Sequence, residues 1–212
     1  MFDFNNAPLP INDELAAAFR LVWDRLATPG TWWTGTERVA IAEVARLAYK
    51  GNDGTAHPSL PAPAVAAASL LSRKPAGVTK RLIQEWEGAG LEPTRYVELV
   101  GVVAQVTAVD TFHRALVIDL EPLPPPRPGE PSRQLPETPA QANRAWVPMV
   151  GPPTIPSSLS AVPAEMDALE ELHGPMYLTY EEMGNPSIQK GLSRAQIELV
   201  AGRTSAINEC FF

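Results

Sequence analysis

Glu198 and Cys210 are two residues near the end of the sequence whose side chains could combine acid–base and thiol chemistry. A continuous helix would hold their Cα atoms about 18 Å apart at 1.5 Å per residue, which is too far for proton exchange even through one water. Asn208 is suited to the left-handed conformation that ends a helix, so we expect the chain to reverse there and return Cys210 toward Glu198. The first turn of a following helix would favour the thiolate, which is the form that attacks a peroxide oxygen.

Two matching patterns mark where helices begin. Ser193 and Gln196 are spaced as a capping box, in which the hydroxyl accepts from the backbone of the third helical residue and that residue's side chain returns the bond. Thr34 and Glu37 have the same spacing. We therefore predict that one helix begins after Ser193 and that another runs over 35–49.

The two capping patterns also indicate an internal repeat. When their serine and threonine are aligned, the position of Glu198 is taken by Val39 and the position of Cys210 by Gly51. The same amphipathic helix would then open two related helical units. We expect only the second unit to keep reactive side chains.

These residues carry a resemblance to a known group. Residues 192–201 and 205–212 resemble the AhpD-like alkylhydroperoxidase and carboxymuconolactone decarboxylase group, whose pattern is a glutamate, eleven residues, Cys-x-x-Cys and a later histidine. The resemblance implies that Cys210 is the first motif cysteine and that Glu198 relays protons. The second cysteine would come directly after Phe212, so we expect a chain truncated within the motif and inactive by itself.

The helical pattern covers most of the sequence. Apolar residues recur at three- and four-residue spacing, and strand-like alternation is scarce. A long apolar segment that ends near Asp110 and Arg114 is similar to the closing helices of the same group. After a first helix capped by Asn12, we predict helices over these ranges: 35–49, 64–71, 77–87 and 94–116.

The resemblance implies an all-α, AhpD-like helical bundle made of two tandem units, with the second unit incomplete. We expect residues 1–121 to form a degenerate first unit and residues 161–212 to open the catalytic one. Between them, residues 122–160 are rich in proline, which removes backbone donors and excludes ordinary helix or sheet. This segment is either a linker or an ordered extended arm that packs on the domain through Trp146 and Met149.

Composition excludes several classes of function. The net charge of −7 and the lack of a basic stripe argue against nucleic acid as a partner. No apolar stretch is long enough to span a membrane, and no signal peptide is recognisable, so we expect a cytoplasmic protein. A single cysteine and histidines without ligand spacing, at positions 57, 113 and 173, predict neither a metal site nor a cofactor.

Three functions remain open at this point. The first is an oxidoreductase of the thiol-peroxidase type, with a peroxide as substrate and a separate thiol as reductant. The second is a carboxymuconolactone decarboxylase-like enzyme without thiol cycling, and the third is a non-catalytic helical interaction module. Because members of the group bury apolar helix faces between subunits, the resemblance also implies a homo-oligomer.

Overall fold

A computed structural model describes residues 2, 4–52, 56–142, 145–154 and 157–210 of the chain. The described residues are mostly helical, which confirms the all-α class. The other regular elements are a short 3₁₀ turn and one antiparallel hairpin of two short strands. The elements are α1 Asp13–Ala27, α2 Gly35–Tyr49, α3 Ala62–Arg73, the 3₁₀ turn Pro75–Gly77, α4 Lys80–Gly88, α5 Pro93–Ala115, α6 Pro163–Met176, α7 Tyr180–Met183, β1 Gln189–Lys190, β2 Leu192–Ser193 and α8 Arg194–Ile207.

Both predicted capping boxes are present. The backbone N–H of Thr34 donates to the Glu37 carboxylate at 2.8 Å, and the Glu37 N–H donates to the Thr34 hydroxyl at 3.3 Å. Ser193 and Gln196 form the same reciprocal pair at the start of α8. Helix α2 has the predicted bounds, whereas α4 begins three residues later than predicted because a 3₁₀ turn precedes it.

The central core lies between α2, α3, α4 and α5. Alanines on α2 and α3 let these helices approach closely, and α5 contributes a row of branched and aromatic side chains. Burial of this apolar surface is the main stabilising term for the fold. The largest fully buried members of the core are Trp33, Ile41, Val65, Leu91, Leu99 and Val102.

A second core lies between α1, the end of α5 and α6. Phe19 and Trp23 of α1 are fully buried there, together with Val109 of α5 and Leu172 of α6. The sequence assigned α6 to the opening of a second unit. In the structure, α6 packs against α1 and α5 and completes the core of the helices that precede it.

The proline-rich segment begins as an extended arm bound to the loop after α1. The backbone N–H of Arg127 donates to the Ala27 carbonyl at 2.8 Å, and the Ser132 N–H donates to the Gly30 carbonyl at 2.9 Å. Gly35 makes this approach possible, because a Cβ atom there would clash with the Ala27 carbonyl oxygen and lie 2.7 Å from that of Arg127. Further along, Met149 is buried as expected, whereas the expectation that Trp146 is an anchor is wrong, because its side chain is exposed. Extended chain without regular partners is therefore held by backbone bonds and apolar anchors.

The last part of the chain packs loosely. Of the described residues of α8, only Ile197 is buried, and Leu199 is 74% exposed. This exposure contrasts with α2, in which most residues are buried although it opens with the same capping box. The similar helix starts thus lie in very different surroundings, and the structure leaves the proposed repeat as a hypothesis.

Candidate functional site

Glu198 lies on the exposed surface of α8, and two neighbours hold its carboxylate. The Tyr177 hydroxyl donates to Oε1 of Glu198 at 2.9 Å. Nε of Arg194, one helical turn earlier, donates to the same oxygen at 2.6 Å. Tyr177 directly follows α6, so this contact connects α8 to the end of α6.

These two bonds favour the ionised form of Glu198. The hydrogen bond from Tyr177 and then that from Arg194 hold the pKa of Glu198 below its usual range. Burial and the adjacent carboxylate raise the pKa of Tyr177. At neutral pH, therefore, Glu198 can accept a proton and has none to give.

Cys210 is exposed and lies in the turn that ends α8. Its backbone N–H donates to the Ser205 carbonyl at 3.0 Å, which closes the turn. The sequence placed the left-handed residue of this turn at Asn208, and that expectation is wrong. Asn208 has a φ of −84°, whereas Glu209 has a φ of 55°.

The turn brings Cys210 back only as far as Ser205. Because α8 is continuous from Arg194 to Ile207, Ser205 lies about 10 Å along the helix from Glu198. Within the described part of the chain, no hydrogen bond joins Glu198 to Cys210. The predicted helix with Cys210 in its first turn would continue through Phe211 and Phe212, which lie outside the described residues.

A buried charge cluster is the strongest electrostatic feature of the molecule. Nη1 of Arg38 lies 2.6 Å from Oε1 of Glu98 and 2.6 Å from Oε1 of Glu165. Gln105 donates to the other Glu165 oxygen at 2.8 Å, and the Trp32 backbone N–H donates to the other Glu98 oxygen at 2.6 Å. The three charged side chains are almost fully buried.

Burial and charge oppose each other in this cluster. Desolvation raises the pKa of Glu98, and Arg38 offsets part of that rise. Burial alone would lower the pKa of Arg38, but the Glu165 and Glu98 carboxylates raise it. Since every oxygen in the cluster accepts a bond, we interpret it as a structural lock between α2, α5 and α6. The sequence signal was a charged residue, Glu98, inside an apolar helix.

A second ionic cluster lies near the C-terminal end of α5. Arg46 binds Asp110 with two parallel bonds of 2.7 and 2.8 Å, and Arg114 lies 3.5 Å from the same carboxylate. The guanidinium of Arg114 also stacks on the Tyr49 ring at 3.8 Å. The adjoining cleft has a volume of about 10 Å³. That is room for about one water molecule, so the cleft is too small for a substrate.

Two other features are absent from the residues that the structure describes. They contain no group of three or more His, Cys, Asp or Glu side chains placed to hold a metal ion. None of their helices is both long and apolar enough to cross a bilayer.

No protein-family model, curated protein or solved structure matches this chain. A functional assignment therefore depends on the side chains of the chain itself and on their geometry.

Proposed function

We propose that Cys210 is a peroxide-reactive thiol and belongs to an AhpD-like, thiol-dependent peroxidase site. The observation that carries the proposal is the exposure of Cys210 in the turn that ends α8, the helix that bears Glu198. Exposure gives a peroxide access to the sulfur. A second support is the sequence spacing from Glu198 to Cys210, which matches the pattern of the AhpD-like group.

The reaction needs no metal or cofactor. The Cys210 thiolate attacks one peroxide oxygen, the O–O bond breaks, and the leaving alkoxide takes a proton to become an alcohol. The resulting sulfenic acid condenses with a thiol, which forms a mixed disulfide and releases water. A second thiol then restores Cys210. Because the chain has one cysteine, both of these thiols come from a separate reductant.

Glu198 is the proton acceptor in this proposal. Glu198 is ionised at neutral pH, so it can accept the thiol proton but has no proton for the alkoxide, and its lowered pKa makes it a weaker base than an ordinary carboxylate. Tyr177 holds the carboxylate on α8, so its role is to position Glu198. Direct transfer requires Cys210 to approach Glu198 more closely than the turn at Ser205 brings it.

The test is the rate of sulfenic acid formation. The full chain is treated with one equivalent of cumene hydroperoxide, trapped with dimedone and analysed by mass spectrometry. We expect a Cys210 adduct that forms at least tenfold faster than with free cysteine at the same pH. The Cys210→Ser variant is the control for methionine oxidation. A rate equal to that of free cysteine would contradict the proposal.

The second candidate function is a non-catalytic helical interaction module. It is favoured by the exposed apolar side chains of α8, which include Leu199, Val200 and Ile207. In this case α8 would pair with a second copy of the chain. Light scattering should then show a dimer that Leu199→Lys disrupts and Gly202→Ala preserves, and a monomer at all concentrations would exclude self-association.

A further inference from the structure

Phe2 and Phe4, which precede α1, fill an aromatic pocket. One wall of the pocket belongs to α1 and the other to the C-terminal end of α5. These elements are far apart in sequence and meet in the second core. The wall residues are Phe19, Trp23, Phe112 and His113.

The two phenylalanine rings make edge and tilted contacts throughout this pocket. The Phe2 ring centroid lies 5.1 Å from that of Trp23, at an interplanar angle of 89°. The Phe4 ring lies 5.4 Å from His113 and 6.1 Å from Phe112. Phe2 is only 2% exposed. The pocket is therefore shaped for two aromatic side chains with one residue between them.

The backbone of Phe2 is also held by hydrogen bonds to two side chains. Its N–H donates to Oε2 of Glu121 at 2.9 Å, and its carbonyl accepts from Nη2 of Arg20 at 2.9 Å. Glu121 lies beyond α5 and Arg20 lies on α1, so two separate elements each satisfy one peptide group. A pocket for two rings combined with a donor and an acceptor for the main chain is how proteins recognise a peptide segment.

The seated segment is held in an unfavourable conformation. Phe2 has a φ of 51° and Phe4 has a φ of 49°, and this left-handed region is disfavoured for residues with a bulky side chain. The contacts in the pocket must offset this strain. Because this conformation costs free energy, the segment is bound less tightly than a relaxed segment that made the same contacts would be.

We propose that this pocket is a binding site for a polypeptide segment carrying two phenylalanines separated by one residue. In the structure, Phe2 and Phe4 of the same chain occupy the site, and we call this segment the latch. The partner that replaces them is a segment of another protein with the same Phe-x-Phe chemistry. Because a tethered segment acts at an effective concentration on the order of millimolar, the latch masks the site until it is released.

The test uses a fluorescent peptide that copies residues 1–10 and measures its anisotropy. The full chain with Phe2→Ala and Phe4→Ala should bind this peptide at least tenfold more tightly than the unaltered chain, because the competing latch is gone. The Leu9→Ala variant is the matched control, since Leu9 is 63% exposed in the same segment, and it should bind like the unaltered chain. A peptide with both phenylalanines replaced by alanine should not bind.

Equal binding by the latched and unlatched chains, or no binding by a double variant that keeps its helical circular dichroism, would overturn the proposal. A second measurement does not depend on that variant. In the unaltered chain labelled with fluorophenylalanine, excess unlabelled peptide should move the fluorine signals of Phe2 and Phe4 to solvent-exposed positions, and unchanged signals would overturn the proposal. A third outcome is a concentration-dependent dimer that the double substitution abolishes. It would show that the segment binding in the pocket comes from a second copy of the chain, and it would overturn the proposal of a different partner protein.

Discussion

Nη1 of Arg38 lies 2.6 Å from Oε1 of Glu165, although the two residues are 127 positions apart in the chain. Arg38 is on α2 and Glu165 is in the first turn of α6. Both side chains are buried, so the pair fixes how α6 sits on the earlier helices. This contact is one reason why α6 packs with the helices that precede it.

We predict that Arg38→Met strongly destabilises the fold. The substitution leaves the Glu98 and Glu165 carboxylates buried without their counter-ion, which typically costs about 3–5 kcal/mol. Urea denaturation of the variant measures the loss. Arg81→Met is the control, because Arg81 forms an exposed pair with Glu85 and should change the unfolding free energy by less than about 1 kcal/mol. Similar effects at both positions would show that the buried cluster is not a lock.

Two glycine substitutions are predicted to have opposite effects. A Cβ at Gly101 in α5 would lie 2.5 Å from a Glu165 oxygen, so Gly101→Ala should lower stability. A Cβ at Gly202 in α8 would meet nothing within 4 Å, so Gly202→Ala should raise local helix stability by about 0.5–1 kcal/mol. Thermal unfolding would detect the first change, and amide hydrogen exchange in α8 would detect the second. The same sign at both sites would contradict the packing around Glu165.

Alkaline pH should destabilise the fold through Tyr96. Burial raises the pKa of Tyr96 from 10.0 to about 12, and its ring packs 5.6 Å from that of Trp86. Because the folded pKa is the higher one, the contribution to stability is complete below pH 10 and is lost as the pH rises toward 12. The loss is at most roughly 2–3 kcal/mol. Urea unfolding at pH 9 and pH 11 should show a smaller difference for Tyr96→Phe than for the unaltered chain.

The Tyr177→Phe variant should raise the pKa of Glu198. The hydrogen bond from Tyr177 is the largest cause of the lowered value, so its removal weakens the ionised form. A lowered folded pKa contributes stability above the unfolded pKa, and that contribution is lost as the pH falls through the folded value. NMR titration of the Glu198 carboxyl carbon measures the shift. Glu181→Gln serves as a control, because it leaves the hydrogen bond from Tyr177 to Glu198 intact. An unchanged Glu198 pKa in the Tyr177→Phe variant would show that this hydrogen bond does not form.

Without an added thiol, the chain should consume between about one and three equivalents of peroxide at Cys210, one for the sulfenic acid and up to two for its over-oxidation, and then stop. A sulfenic acid at Cys210 has no second cysteine in the chain with which to condense, so it persists or is over-oxidised. A peroxide assay compared with the Cys210→Ser variant measures the difference. Continued turnover without an added thiol would show that another group reduces Cys210.

Part of the candidate site was predictable and part was not. The sequence predicted that a helix begins after Ser193 and carries Glu198, because a capping box depends on residues three positions apart. It did not predict Tyr177 as the partner of Glu198, since that bond crosses from the end of α6 to α8. The turn before Cys210 was expected, but its left-handed residue was misplaced by one position.

The sequence by itself determined the all-α class and the bounds of α2, because helical spacing and capping are local properties of the chain. Only the tertiary structure decided that Arg38 meets Glu165, that the proline-rich arm lies along Ala27 and Gly30, and that Phe2 fills an aromatic pocket. Each of these contacts joins residues that are far apart in sequence. Their formation depends on which helix faces pack together, and the local pattern of residue types does not encode that choice.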